Sequence, residues 1–316
     1  MTNAKSHERG DNWNRRTWIK AAAGLAVSHG LFADALVARQ TELRTRAIPS
    51  TGERIPVVGL GSARTFSVRR GSAEIDSLRE VLRLFHAQGG RVFDTAPTYG
   101  GAEDLSGRLA QELEIHDDLF FATKISTGGG LNAGQAQEQA SMEAWDRRVI
   151  DLNQVHNLRG VDVHLPQLRE AKASGRVRYI GITTSRIPQH DATERVLDRE
   201  PVDFVQLNYS LGERQAADRL LPLAQDRGVA VLVNEPFNGG RLFRQIQGRE
   251  VPLWAGEFDC NTWGQFFLKY ILGHPAVTAV IPATGDPEHL TDNMGAGLGG
   301  LPDATQRRRM EAFFDE

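Results

Sequence analysis

"RVFDTAPTYGG", residues 91–101, runs an apolar pair, Val92-Phe93, straight into an acid, Asp94. Five residues later stands a phenol, Tyr99, with Gly100 and Gly101 behind it. A short run that is apolar on nearly every position fits a strand buried on both faces, the habit of parallel sheets. Seven more such runs stand along the chain: "VVGLG" (57–61), "LFFATKI" (119–125), "VIDLNQVHN" (149–157), "YIGITT" (179–184), "FVQLNYS" (204–210), "VAVLVNEP" (229–236) and "AVTAVIPAT" (276–284). Amphipathic segments alternate with them. In "SAEIDSLREVLRLFHAQG" the residues Ile75, Leu78, Val81, Leu82 and Phe85 form one stripe, and Gly89 stops the helix. "HLPQLREAKASG" and "AADRLLPLAQDRG" also end in glycine just before a strand, and "WGQFFLKYILGHP" stops at Gly273 and Pro275. Eight strand–helix units in about 250 residues is the arithmetic of a single (β/α)8 TIM barrel. Ahead of it, "RTRAIPSTGERIPVV" reads as a short β-hairpin turning at Ser50-Thr51-Gly52.

Composition narrows the classes. With 316 residues, 40% hydrophobic and 24% charged, the chain is of ordinary globular make-up. A net charge of −3 and no sustained basic run argue against a nucleic-acid partner. Cys260 is the only cysteine, so no intrachain disulfide can form. No apolar run is long enough for stable membrane insertion.

The first 38 residues read differently. "NRRTWIKAAAGLAVSHGLFADALVA" pairs Arg15 with Arg16, follows with Trp18-Ile19-Lys20, and continues as a mildly apolar small-residue region. Ala33-Asp34-Ala35 matches an A-x-A cleavage site, and Leu36-Val37-Ala38 matches it more weakly. Residues 1–38 thus resemble a twin-arginine signal, which implies export machinery as a partner and a periplasmic or extracellular location. The bland alternative is a disordered leader on a cytoplasmic protein. Residues 39–316 are left for the barrel.

In a TIM barrel the C-terminal strand ends carry function. Asp94 ends the second barrel strand and Tyr99 follows in its loop; Lys124 and His156 hold matching places on the next two strands. Singly, a strand-end Asp is more often a helix cap, and a lone Tyr or His a satisfied rim residue. Four proton-handling groups on consecutive units and on one face are a constellation. A lysine cation beside the phenol should lower its ordinary pKa of about 10, with Asp94 steadying the ammonium. His156 could then donate a hydrogen bond to a substrate oxygen.

From about residue 44 onward the chain resembles the aldo-keto reductase family, through "FDTAPTYGG", "ATK", "DLNQVHN", "GRVRYIGITT", "FVQLNYS" and "VIPATGDPEHLTDN". The resemblance implies NAD(P)(H)-dependent reduction of an aldehyde or ketone, or the reverse oxidation, with Asp94, Tyr99, Lys124 and His156 as catalytic tetrad and Tyr99 as general acid/base. It implies a nicotinamide dinucleotide, NADP or NAD, across the barrel mouth. Gly61, Ser62, Asp94, Thr183, Thr184, Gln206, Asn234, Phe237, Thr284, His289 and Asn293 are then the candidate cofactor-binding residues.

The chain departs from that pattern in places. Where the family grips the carboxamide with a Ser-Asn pair, Thr183-Thr184 stands, and threonine lacks the two-ended amide geometry of asparagine. Asn234 and Glu235 replace an aromatic and a serine, and a carboxylate near phosphates needs an arginine such as Arg241 to neutralise it. After "IP", Ala283, Thr284, Gly285, Asp286 and His289 make a poor clamp for a 2′-phosphate, which points to NAD(H) or to a weak NADP(H) site. "RTFSVRR" and "LFRQIQGREVPLWAGEFDCNTW" are candidate pocket walls, with Phe66, Trp254 and Trp263 as lining; Trp263 could equally be helix core. Short loops and several arginines suit small polar or sugar-like carbonyls. Of the rivals, a metal enzyme lacks ligand spacing for its histidines. A barrel hydrolase or isomerase on Asp94 and Lys124 leaves Tyr99 idle. A non-catalytic dinucleotide sensor on the same barrel leaves the whole tetrad idle.

Overall fold

A computed structural model describes residues 42–67 and 73–316, so the leader over 1–38 lies outside the described residues. Strands β1 (Thr45–Ala47) and β2 (Arg54–Pro56) pair antiparallel, Thr45 opposite Pro56. The amide of Gly52, at φ 78, closes their turn on the Ile48 carbonyl.

Eight parallel strands follow: β3 (Leu60–Gly61), β4 (Val92–Asp94), β5 (Phe120–Ile125), β6 (Ile150–Val155), β7 (Val177–Thr183), β8 (Phe204–Asn208), β9 (Ala230–Asn234) and β10 (Ala279–Val280). Each pairs with its neighbours in sequence. The ring closes where Val58 bridges Val280 and Gly61 bridges Ala283, with the Gly61 amide donating to the Pro282 carbonyl at 3.0 Å. Gly61 is needed at this seam, because a Cβ there would sit 2.9 Å from the Ile281 carbonyl oxygen. The run 276–284 yields only two strand residues, partly because Pro282 has no N–H to give to a ladder.

Helices α1 (Glu74–Ala87), α2 (Ala102–Glu112), α3 (Leu131–Ala144), α4 (Val161–Ala173), α5 (His190–Arg199), α6 (Leu220–Asp226), α7 (Arg241–Gln245), α8 (Trp263–Leu272), α9 (Pro287–Gly295) and α10 (Ala304–Asp315) complete the described elements with several 3-10 turns. Helix α1 buries Ile75, Leu78, Val81, Leu82 and Phe85, the stripe read from its periodicity. No helix among the described residues is long and apolar enough to cross a membrane.

Two apolar layers result. The outer one lies between strands and helices; there Trp145 stacks on Phe121 at 4.4 Å and leans on Phe93, whose other side meets Phe66 edge-on. The inner one fills the barrel's lower half with Val92, Phe120, Leu152, Tyr179, Phe204 and Leu232, and Ile48 and Ile55 of the hairpin join it as a plug. Side chains alternate along a strand. Continuing the inner row upward from Val92, Ala122, Leu152 and Phe204 therefore arrives at Asp94, Lys124, Gln154 and Gln206. Strand periodicity alone thus turns the apolar interior polar at the C-terminal rim.

Candidate active site

The polar rim is organised by one buried ion pair. Lys124 Nζ donates to both Asp94 carboxylate oxygens, at 2.9 and 2.8 Å, and to the Thr95 carbonyl at 2.7 Å. Its side chain has no exposed surface, so three acceptors for three ammonium hydrogens is a full complement. Gln206, from β8, donates to Asp94 Oδ1 at 2.7 Å and ties a third strand into the pair. Burial pushes the Lys124 ammonium toward losing its proton, but Asp94 and Tyr99 together outweigh burial, so it stays charged.

Tyr99 reaches this cation from the loop after β4. Gly100 and Gly101, at φ 60 and 85, turn that loop into α2. The ammonium lies 5.1 Å from the centre of the phenol ring, and the His156 ring meets Tyr99 edge-on at 5.8 Å. The structure thus brings Asp94, Tyr99, Lys124 and His156 together on three adjacent strand ends. The phenol's acidity differs from the sequence expectation. Burial raises the Tyr99 pKa above its ordinary value; Lys124 pulls it back, though by less, and the Asp94 and Glu235 carboxylates add to the rise. Tyr99 is therefore a protonated acid at neutral pH, rather than a group poised to ionise.

His156 is neutral too, its pKa dropped to about 3 by burial and by the charges of Lys124 and Arg159. Its Nδ1 lies 2.7 Å from Ser126 Oγ, which in turn takes a hydrogen bond from the Thr98 hydroxyl at 3.5 Å. When Ser126 donates its own hydrogen to Nδ1, the neutral imidazole carries its proton on Nε2. Neither Thr98 nor Ser126 belonged to the sequence-derived site; only proximity of their hydroxyls in the fold identifies them.

These groups open onto a cleft of about 790 Å³, a size that suits a small-molecule site. Gly61, Asp94, Tyr99, His156, Thr183, Gln206, Asn234 and Phe237 of the sequence-derived set line it. So do Phe243, which belongs to a stretch read as a candidate pocket wall, Asn157, which ends the "DLNQVHN" run, and Ser185, which lies in no motif; none of the three was among the candidate site residues. Lys124 sits beneath, and Ser62 is buried beside the lining with its hydroxyl unpartnered among the described residues. Asn234 Oδ1 is likewise buried without a protein partner. Polar atoms buried in this state are expected to meet a ligand or water, so the wall fits a ligand rich in hydrogen-bonding groups.

Several expectations come out otherwise. Thr184 is buried outside the lining, its hydroxyl donating to Gln189 Oε1 at 3.0 Å. Thr284, His289 and Asn293 do not line the cleft either; Asn293 is buried on α9, and His289 is exposed on that helix. Arg241 is taken by Glu213 at 2.9 Å, and the arginine facing Glu235 is Arg64, at 3.9 Å. Phe66 is fully buried against Phe93 rather than in a pocket wall. Trp254 packs on Phe258, Phe266 and Phe313, and Trp263 on Phe267 and Phe313, so neither lines the cleft.

The model of the aldo/keto reductase family matches residues 57–309. The chain belongs to that family. L-galactose dehydrogenase of Arabidopsis thaliana is 26% identical over 291 residues, spanning 81% of this chain and 88% of the relative. D-threo-aldose 1-dehydrogenase of Pseudomonas sp is 26% identical over 306 residues, spanning 78% and 91%. The crystal structure of an aldo/keto reductase from Klebsiella pneumoniae in complex with NADP and acetate superposes with a TM-score of 0.67 at 21% identity, covering 87% of this chain and 95% of that one. That last likeness extends to the barrel fold.

For this aldo/keto reductase the serine contact to His156 makes a checkable statement about the imidazole. Nitrogen-15 NMR of the wild type should show His156 as the Nε2–H tautomer. Ser126→Ala should give a mixture of tautomers and lower turnover about two- to tenfold, the worth of one neutral hydrogen bond. An unchanged tautomer in the variant would remove Ser126 from this role.

Proposed function

We propose that this aldo/keto reductase, an NAD(P)-dependent oxidoreductase by family, interconverts a polar, sugar-like carbonyl compound and its alcohol, with Tyr99 as the proton donor in reduction. The observation that carries the reading is the Lys124–Asp94 pair buried under a protonated Tyr99 beside a neutral His156. Reduction needs a hydride on carbon and a proton on oxygen. A bound reduced nicotinamide dinucleotide supplies the hydride. Tyr99 gives its hydroxyl proton to the carbonyl oxygen as negative charge gathers there. His156 donates a hydrogen bond from Nε2 to the same oxygen, and Lys124 steadies the phenolate left behind. The phenolate then recovers a proton from solvent; in alcohol oxidation it is the base.

Sugar-like substrates are favoured by a wall bearing Asn157, Ser185, Thr98, Arg64 and Glu235, and by the names of two relatives that act on sugars. NAD(H) is favoured over NADP(H) by the entry to α9. There Asp286 caps the helix, accepting from the Glu288 and His289 amides, so a carboxylate occupies the helix end where an anion would gain. The neighbouring His289 lies 4.0 Å from the same carboxylate. Residues 1–38 are proposed as a twin-arginine export leader, on the strength of Arg15-Arg16 and the small-residue stretch behind them.

Four outcomes follow. Tyr99→Phe should lower turnover about 10²- to 10⁴-fold with dinucleotide affinity retained; full activity in that variant ends the assignment. The pH profile of reduction by the wild type should be level between pH 5 and 8. His156 is already neutral above about 3, and Tyr99 keeps its proton beyond the ordinary phenol value. An inflection near 6.5 would contradict this. Fluorescence titration should find NADH bound at least as tightly as NADPH, and tighter NADPH binding refutes the α9 argument. Fractionation of a cell expressing the full chain should place the shortened protein outside the cytoplasm, and an Arg15→Lys/Arg16→Lys double variant should hold it inside; equal export of both rejects the leader.

A further inference from the structure

The carboxamide of a nicotinamide ring presents a carbonyl acceptor and an NH2 donor, so the wall that receives it must offer one donor and one acceptor. The cleft wall over β7, β8 and β9 contains several side-chain amides, but most of their hydrogens are committed. Gln206 Nε2 serves Asp94, and Asn234 Nδ2 serves the Thr184 carbonyl at 3.0 Å and Gln206 Oε1 at 3.4 Å. Thr184, at the strand end where an asparagine would complete the pair with Thr183, has its hydroxyl turned to Gln189.

Asn157 is different. It follows His156 at the end of β6 and stands in the left-handed region, at φ 51 and ψ 38, which asparagine tolerates better than most residues. Three contacts hold it there. Its backbone N–H donates to Thr183 Oγ1 at 2.9 Å, its carbonyl accepts from Gln189 Nε2 at 3.2 Å, and its Oδ1 accepts from the Ser185 hydroxyl at 3.4 Å. Gln189 is therefore a link: one end of its amide is held by Thr184, and the other end holds Asn157. The side chain lines the cleft, and among the described residues nothing accepts from its Nδ2. The buried Asn234 Oδ1 is the free acceptor on the same wall.

We propose that Asn157 takes over carboxamide recognition, its Nδ2 donating to the nicotinamide carbonyl oxygen, while the Thr184 hydroxyl serves through Gln189 as a brace. The inference rests on the dinucleotide reading above. It moves the amide from the end of β7 to the end of β6, and it explains how a Thr-Thr strand end can coexist with an intact proton-transfer group. Asn234 Oδ1 would accept from the carboxamide NH2.

Equilibrium binding to the full chain tests this without catalysis. NADH and NADPH are compared with ADP-ribose and 2′-phospho-ADP-ribose, which lack the nicotinamide. Asn157→Gly keeps the left-handed backbone accessible, and Asn157→Asp keeps the side-chain shape and the Ser185 contact but removes the donor. Both variants should bind the dinucleotides about three- to tenfold more weakly and the truncated nucleotides as the wild type does. Equal weakening toward all four ligands in both variants would mean a structural role and would overturn the proposal. So would unchanged dinucleotide binding, including the case in which only the KM of the carbonyl substrate rises. If the wild type binds neither dinucleotide, the cofactor reading itself fails, and that result is distinct from a wild type that binds and variants that bind alike.

Discussion

An ammonium and a carboxylate locked together inside a barrel are what the rest of this structure is arranged around. Taking two charges out of water costs several kcal/mol for each ion, and the pair repays this only when its remaining hydrogen-bonding groups are also satisfied. Here they are: Lys124 has Asp94 and the Thr95 carbonyl, and Asp94 has Gln206 as well. A hydrophobic pair would have filled the same space at less risk. The charges make sense as equipment, because they put a fixed cation under Tyr99 and require β4, β5 and β8 to hold one register.

That cation does less to the phenol than simple proximity suggests. Burial, the largest influence on Tyr99, decides the direction, and Asp94, which holds Lys124 in place, opposes part of the cation's effect on the phenol. The outcome is a protonated Tyr99 and a neutral His156 side by side on the cleft wall. For His156, burial and the nearby cations act together, which is why its shift is so large. A low-dielectric site keeps Tyr99 in its protonated form while making the phenol a weaker acid. A substrate or cofactor excluding more water would strengthen both effects.

The mouth of the cleft shows how positions trade tasks within a family barrel. Arg64 and Glu235, both at positive φ on loops after β3 and β9, face each other at 3.9 Å. Arg241, nearer in sequence to Glu235, is held by Glu213 instead. Thr184 gives its hydroxyl to a brace, and the free amide comes from Asn157, which the sequence placed beside His156 without assigning it a task. The tryptophans of the long β9–α8 segment satisfy their apolar surface against Phe258, Phe266, Phe267 and Phe313. Aromatic side chains seek each other when they can, which leaves the cleft to Phe237 and Phe243.

The barrel was legible in the sequence because its causes are local and repeated. Eight apolar runs, helix stripes such as Ile75 to Phe85, and glycine stops are properties of neighbouring residues, and the period-two alternation of strands by itself carries Asp94 and Lys124 to the inner face. His156 could be placed with them because it follows a strand end directly, and Tyr99 because it stands in the short loop after β4. Tertiary structure alone decided what depends on sums over space: whether burial or the Lys124 charge governs Tyr99, which arginine meets Glu235, and whether a threonine or a distant asparagine offers its polar atoms to the cleft. Strand ends are set by hydrogen-bond geometry along one chain, whereas side-chain partnerships in loops are settled by competition among residues that sequence order does not bring together.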